Sequence, residues 1–449
     1  MSTQQINSHL YGPGITRITV TGFKSLASKT DVEIRPLTIL AGANSSGKSS
    51  LMQPILLMKQ TLDNERIPPG PFWLWGDQAQ YTTANQFLSR ILPHDESSRK
   101  LTVEIAAEAS WTELIFEKTS DLDLTVVETS SRGASEGPVW RLNRGTSQRF
   151  LKELFDSVAG RQFFESAELK IHQDRCFLAV GTQFPGDPVV GVFHRPEVNL
   201  IRSKVQQTLY VSGLLRGSCE REFYLHGLPS GNVFPGDFED YVPSILEAWR
   251  EDATETGYGI EKLHLLRSAL QLLELASDVQ TRKLNESQVE VRIPRTLTGD
   301  TNDLVSIADV GLTVSQVLPV LVALIIAHPN QLVHIEQPEL HLHPRAQWRL
   351  AQLLADAANR GVRLVIETHS SLLLRGILTE IAKGKISNDK VILHWFERDK
   401  RTGISTVSSK EPDSAGRVGE WPEDFSDVEL ESDNDYLNAV ESKLFAAKQ

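Results

Sequence analysis

The chain has 449 residues, 40 % of them hydrophobic, with 46 Lys and Arg against 58 Asp and Glu for a formal net charge of −12. At about 100–200 residues per domain that length suggests two to four structural units, and the apolar content excludes a disordered chain. Net acidity argues against a surface wholly committed to nucleic-acid phosphates, which need clustered Lys and Arg, while a local basic groove stays open. The 2 cysteines, Cys176 and Cys219, stand in no CxxC or zinc spacing. That excludes a disulfide framework and fits a reducing compartment. Met1 to Leu10 is polar with no secretory apolar stretch, and the longest uncharged apolar run, Val317–Ala327, is about half a bilayer span. A cytoplasmic protein with no membrane segment is expected.

In chain order, Ile15–Thr21 and Asp31–Arg35 alternate as strands do, and Leu37–Ala41 reads as an apolar strand ending at Gly42. A helix is expected from Lys48 to Leu62, kinked at Pro54, with the Pro/Gly-rich Ile67–Pro71 breaking it. Strands follow at Leu101–Ala106, Glu113–Phe116 and Leu122–Val127. From about 130 to 285 the pattern is mixed loops and amphipathic helices, Tyr258–Leu275 being the clearest helix and Gly227–Gly236 an exposed loop. Strand–helix alternation returns at Val289–Ile293 and runs to about 397. An acidic, Ser-rich tail with a short helix at Tyr436–Ala447 closes the chain. Neither a repeat of 20–50 residues nor sustained heptads are visible.

Gly42-Ala-Asn44-Ser45-Ser46-Gly47-Lys48-Ser49 matches G-x-x-x-x-G-K-[ST], between an apolar strand and a helix that continues through Ser50. Glycines let backbone N–H groups curl around an anion, and the helix start adds partial positive charge. Lys48 can reach the β- and γ-phosphates and the Ser49 hydroxyl can ligate Mg2+. These features predict ATP with Mg2+ as cofactors. A second apolar strand, Gln331-Leu-Val-His-Ile-Glu336, ends in a carboxylate suited to the metal shell, and is followed by Gln337-Pro-Glu339. A third, Val362–Thr368, delivers His369 toward the γ-phosphate.

The order Gly22-Phe-Lys24-Ser25, Gly42 to Ser49, Asp309-Val-Gly-Leu-Thr-Val-Ser315-Gln316, Glu336-Gln-Pro-Glu-Leu-His-Leu-His-Pro344 and Glu367-Thr-His-Ser370 resembles the OLD/RecF-type branch of ABC ATPases, which also holds the SMC heads. The likeness covers about 1–120 and 288–400. Gly416–Phe425 is similar to a C-terminal motif of ATPases in this branch, and anti-phage ATPases of the Septu and PARIS systems are similar in kind. The resemblance implies an α/β fold: an ABC-type P-loop ATPase head with an antiparallel β lobe and a largely helical insertion. Its expected parts are 1–128, the P-loop half of the core; 129–287, a helical or mixed insertion; 288–410, the signature-like, acidic-strand and His half; and 411–449, an acidic tail.

Such heads close as homodimers around two Mg-ATP molecules, and higher assembly stays open. The transporter signature is absent. Val314-Ser315-Gln316 looks like its counterpart, with Ser315 expected at the start of the apolar helix Val317–Ala327, where it would cap the partner's γ-phosphate or merely cap its own helix. Lys24 and Ser25 match a segment that approaches the nucleotide. Glu336 and Ser49 are the implied metal residues, joined by Gln86, with Gln53 as the other candidate for the glutamine that links the γ-phosphate to the lobe. The usual catalytic Glu is replaced by Gln337, an amide that orients water but accepts no proton at neutral pH. Glu339 is the possible substitute. Glu336, Gln337, Glu339 and His369 form the expected catalytic set. His341 and His343 invite a metal reading, but their segment matches the seam between subunits.

After His369 about 80 residues remain, too few for a fused TOPRIM nuclease plus the last core strand. Any nuclease partner is expected to be a separate subunit of HNH or TOPRIM type. The expected function is an ATPase controlling such an effector in anti-phage defence. Two other readings stay open: a stand-alone RecF/SMC-like ATPase acting directly on DNA, with DNA or RNA as ligand, and an ATP-sensing scaffold with little turnover.

Overall fold

The computed structural model describes residues 12–64, 70–91, 99–119, 124–134, 137–159, 168–183, 189–212, 220–255, 257–296, 303–310, 312–419 and 437–438. The acidic run from Glu420 to Asp435, most of the expected terminal helix and Cys219 lie outside them.

Its centre is a six-stranded sheet in the order β11-β16-β17-β3-β18-β19: Leu209–Val211, Leu332–Glu336, Arg363–Glu367, Leu37–Gly42, Val391–Arg398 and Ser405–Lys410. The first five strands run parallel and β19 closes the edge antiparallel. All six residues of β3 are buried, as a strand covered on both faces requires. Side chains alternate across a strand, and here they feed two cores. Leu37, Ile39, Val333, Ile335, Leu364 and Ile366 enter one core; Leu40, Leu332 and Val365 enter the other.

The second core holds helix α1 (Lys48–Asp63) and an antiparallel sheet, β2-β1-β4-β5-β6-β7: Thr30–Glu33, Ile15–Thr21, Lys100–Ala107, Ser110–Lys118, Leu124–Arg132 and Trp140–Asn143. This is the expected antiparallel lobe. It also takes α2 (Gln148–Ala159), a small sheet β10-β9-β8 (Val189–Phe193, Phe177–Gln183, Glu168–Asp174) and α3 (Pro196–Gln206). The first core is covered by α4 (Val242–Glu255), α5 (Tyr258–Leu272), α6 (Leu312–Ile326), α7 (Pro344–Asn359) and α8 (Ser371–Ala382). A further sheet, β12 (Phe223–Tyr224), β14 (Gln288–Pro294) and β13 (Gln280–Lys283), with β15 (Leu304–Ser306) beside β14, packs there too.

Residues 129–287 therefore do not stand apart as an insertion. A boundary at 128 cuts through β6; β11 pairs with β16 in the central sheet; and Phe234, Phe238, Leu246 and Leu270 share a core with Leu37. A three-residue strand and isolated aromatics carry no periodic signal, so the sequence read as loops what tertiary pairing turns into core. Helix α1 runs unbroken through Pro54, and among the described residues no helix is long and apolar enough to cross a membrane.

Candidate functional site

Strand β3 ends where the chain must turn tightly. Gly42 has φ 141, and a Cβ there would lie 2.2 Å from the Phe396 carbonyl oxygen of neighbouring β18, so only glycine fits. Ser45 (φ 60) and Gly47 (φ 102) complete the loop in left-handed conformations. Gly47 is the N-cap of α1 and supplies no capping side chain, leaving first-turn N–H groups for an anion. The start of β19 buttresses the loop: the Ser405 hydroxyl donates to Ser46 O at 2.6 Å and Ser405 N to Ser25 O at 2.8 Å. A cavity of about 770 Å3 opens over this turn. Its walls include Asn44 to Ser50, Lys24, Ser25, Gln53, Gln86, Glu336, Gln337, Glu367 and His369.

Lys48 is buried, and its ammonium donates to Gly42 O at 2.9 Å and Ala43 O at 2.8 Å. Burial lowers it to about 8, with Glu367 pulling the other way. Beside it, the Ser49 hydroxyl donates to Glu367 Oε2 at 2.7 Å. Glu367 Oε1 lies 3.0 Å from Nε2 of His334, which is wholly buried. Glu336 sits opposite Glu367 on the adjoining strand, and the Tyr210 hydroxyl donates to its Oε1 at 3.0 Å. Burial and Glu336 push the Tyr210 phenol well up, so it stays a donor. Ligand atoms of His334, Glu336 and Glu367 all lie within 4.8 Å of one another. Oxygen donors from Ser49, Glu336 and Glu367 gathered beneath a P-loop fit a hard cation such as Mg2+.

Gln337 lines the cavity with φ 45, its N–H donating to Glu367 O at 2.7 Å. His369 stands at the same cavity; burial and then Lys48 lower its pKa, which leaves the imidazole neutral at pH 7. Glu339 does not line the cavity. Its Oε1 accepts from the Thr368 hydroxyl at 2.7 Å and from His369 N at 3.2 Å, so it clamps the turn after β17.

Three other expected residues are held by hydrogen bonds of their own. Gln86 reaches the cavity wall, and its Oε1 accepts from Thr82 N at 2.6 Å and, in a capping box, from Thr83 N at 3.5 Å. Gln53 Oε1 accepts from Lys24 Nζ at 2.7 Å and Tyr81 OH at 3.0 Å. That contact holds Lys24 between the Phe23 and Tyr81 rings. Helix α6 begins at Leu312, so Ser315 falls within its first turn, buried, with its hydroxyl donating to Leu312 O at 2.9 Å. Gln316 is buried next to it. The exposed start of that helix is Leu312, and Thr313 Oγ1 donates to His341 O at 3.4 Å. Sequence reasoning passed over Glu367, His334, Tyr210 and Ser405. A carboxylate closing an apolar strand just before Thr-His was the available signal for Glu367.

A family profile described as "AAA ATPase domain" matches residues 14–140, and one described as "AAA domain, putative AbiEii toxin, Type IV TA system" matches residues 239–375. No curated protein matches the chain. Among solved structures, the chain is similar to an SMC head bound to the C-winged helix domain of ScpA, with 12 % identity and TM-score 0.42, covering 90 % of this chain and 99 % of that one. It is similar to the SMC head domain from Thermotoga maritima at 12 % identity and TM-score 0.38, covering 88 % and 98 %. A third is an Smc head with an extended coiled coil, bound to the C-terminal domain of ScpA derived from Pyrococcus furiosus, at 11 % identity and TM-score 0.42, covering 96 % and 100 %. ATPase-domain profiles match both halves of the chain, and the P-loop on β3 and the acidic end of β16 stand in one parallel sheet, the arrangement of a P-loop ATPase head similar to the OLD/RecF-like ABC type.

Proposed function

We propose that the chain binds Mg-ATP in the cavity over Gly42–Ser50, dimerises around it, and controls a separate effector. The observation that carries this reading is the meeting of Lys48, Ser49, Glu336 and Glu367 at the ends of parallel strands. Lys48, turned on its own loop carbonyls, exchanges them for phosphate oxygens. The α1 N-terminus orients the phosphates, and His369 offers a neutral hydrogen-bonding group to the terminal one. When bound, magnesium neutralises phosphate charge; Ser49 and Glu336 are the residues that would hold it. Gln337 orients a water without accepting its proton, which favours a slow switch over a motor.

Dimerisation is supported by the exposed Leu312 at the start of α6, beside the His341 turn that adjoins the cavity strand. A defence-linked role is supported by the toxin named in the profile at 239–375; the effector this reading calls for is a separate subunit, an HNH or TOPRIM nuclease. The test is nucleotide binding, turnover and mass measured together. Mg-ATP should bind and turn over slowly in a dimer, and Lys48→Ala should abolish all three. A protein that stays monomeric with Mg-ATP rules out the sandwich. Salt-sensitive DNA binding by the isolated chain would favour direct action on DNA instead.

A further inference from the structure

We propose that the cation of this site is held by two carboxylates, Glu336 and Glu367, fixed by Tyr210 and His334 as buried positioning residues; this rests on the ATP-binding reading above. The two glutamates are register partners at the C-terminal ends of adjacent parallel strands, so their side chains leave the sheet at the same level. Their treatment is parallel. Each carboxylate uses Oε1 for a positioning partner, Glu336 with the Tyr210 hydroxyl at 3.0 Å and Glu367 with His334 Nε2 at 3.0 Å. The two partners are stacked rings, 5.3 Å between centroids, so a single packed pair sets both acids. Oε2 of Glu367 meets the Ser49 hydroxyl at 2.7 Å, which brings the P-loop hydroxyl and the second carboxylate to one place.

Two carboxylates and the Ser49 hydroxyl converging here make an oxygen-rich pocket of the kind a hard cation takes. Lys48 is the neighbouring ammonium, but it donates to Gly42 O and Ala43 O. The 4.8 Å spread of the His334, Glu336 and Glu367 ligand atoms is compatible with metal–oxygen distances of about 2.0–2.1 Å after a small closure. His334 already spends Nε2 on Glu367, and so acts on the acid and not on the ion.

Mn2+ is the probe, titrated by electron paramagnetic resonance into the full chain with a non-hydrolysable ATP analogue. Glu367→Gln should weaken Mn2+ binding at least about 10-fold, and His334→Leu by about 10–100-fold, the usual cost of losing an outer partner. His334→Gln, which keeps a donor, should recover part of that loss. Analogue binding in EDTA, measured for each variant, separates loss of the cation from loss of the nucleotide: a Mn2+ loss no larger than the loss of analogue binding in EDTA overturns the proposal. Wild-type Mn2+ affinity in Glu367→Gln overturns the proposal, and 14N coupling from an imidazole on the bound Mn2+ overturns the positioning role of His334. If Glu367→Gln does not fold, Tyr210→Phe carries the test, since it leaves both acids in place: a loss of Mn2+ affinity supports the proposal and wild-type affinity overturns it. If wild-type protein binds no analogue with or without Mn2+, the ATP reading itself fails, a result distinct from an analogue-binding protein indifferent to Glu367.

Discussion

At the scale of single residues, the P-loop works by what it leaves unsatisfied. Burial lowers Lys48 from 10.5 to about 8, which means its charged form is poorly solvated until an anion arrives. Between about pH 8 and 10.5 the unfolded chain keeps the Lys48 proton and the folded chain sheds it. The unfolded state then binds more protons, so this residue makes stability rise with pH across that window. Urea denaturation from pH 7.5 to 10 should show that rise in the wild type and a flatter profile in Lys48→Met. Gly47 is limiting in another way. At φ 102, with Ser405 Oγ 2.7 Å and Ser25 Oγ 2.8 Å from where a Cβ would sit, Gly47→Ala should cost about 1–3 kcal/mol and abolish nucleotide binding. Thermal melts with and without ATP would read both effects.

At the scale of elements, the site depends on how strand ends are tied to one another. Glu339 ties the β16 turn to the β17 turn through Thr368 and His369. Glu339→Gln keeps the acceptor and should leave ATP turnover near wild type. Glu339→Leu strands a buried hydroxyl and should lower stability by about 1–3 kcal/mol. Turnover lost in the Gln variant would return Glu339 to a catalytic role. Further along α1, the buried Lys59 pairs with Asp63 at 2.7 Å and donates to Gln206 O at 3.0 Å and Phe234 O at 2.9 Å. The helix that begins at the phosphate loop is thereby fastened to the end of α3, which leads into β11 and Tyr210. Lys59→Met leaves Asp63 buried and uncompensated, and should cost about 3–5 kcal/mol in denaturant unfolding.

At the scale of the whole molecule, one parallel sheet serves two cores, and the cavity opens at the C-terminal ends of its strands. Open α/β sheets bind ligands at that edge. The antiparallel lobe contributes Lys24 and Ser25 from one side, and β19 contributes Ser405 from the other, so the loop is braced by segments 380 positions apart. Leu312 is 47 % exposed at the start of α6, on the face that closes on a partner under the dimer reading. Leu312→Asp should hold the protein monomeric with Mg-ATP in sedimentation, while single-site nucleotide affinity persists.

The sequence by itself determined the phosphate loop, the acidic end of β16 and the strand that carries His369, because each is a contiguous run whose chemistry is local. Only the tertiary structure decided the rest. Glu367 joins Ser49 and Glu336 through strand register, and β11 brings Tyr210 to Glu336 from a segment that reads as loop. Ser315 turns inward because α6 starts at Leu312, five residues before its apolar run at Val317, and hydrogen bonds engage Oε1 of Gln86 and of Glu339. Burial and pairing depend on residues far apart in the chain, and a linear pattern carries the chemistry of a side chain but not its neighbours.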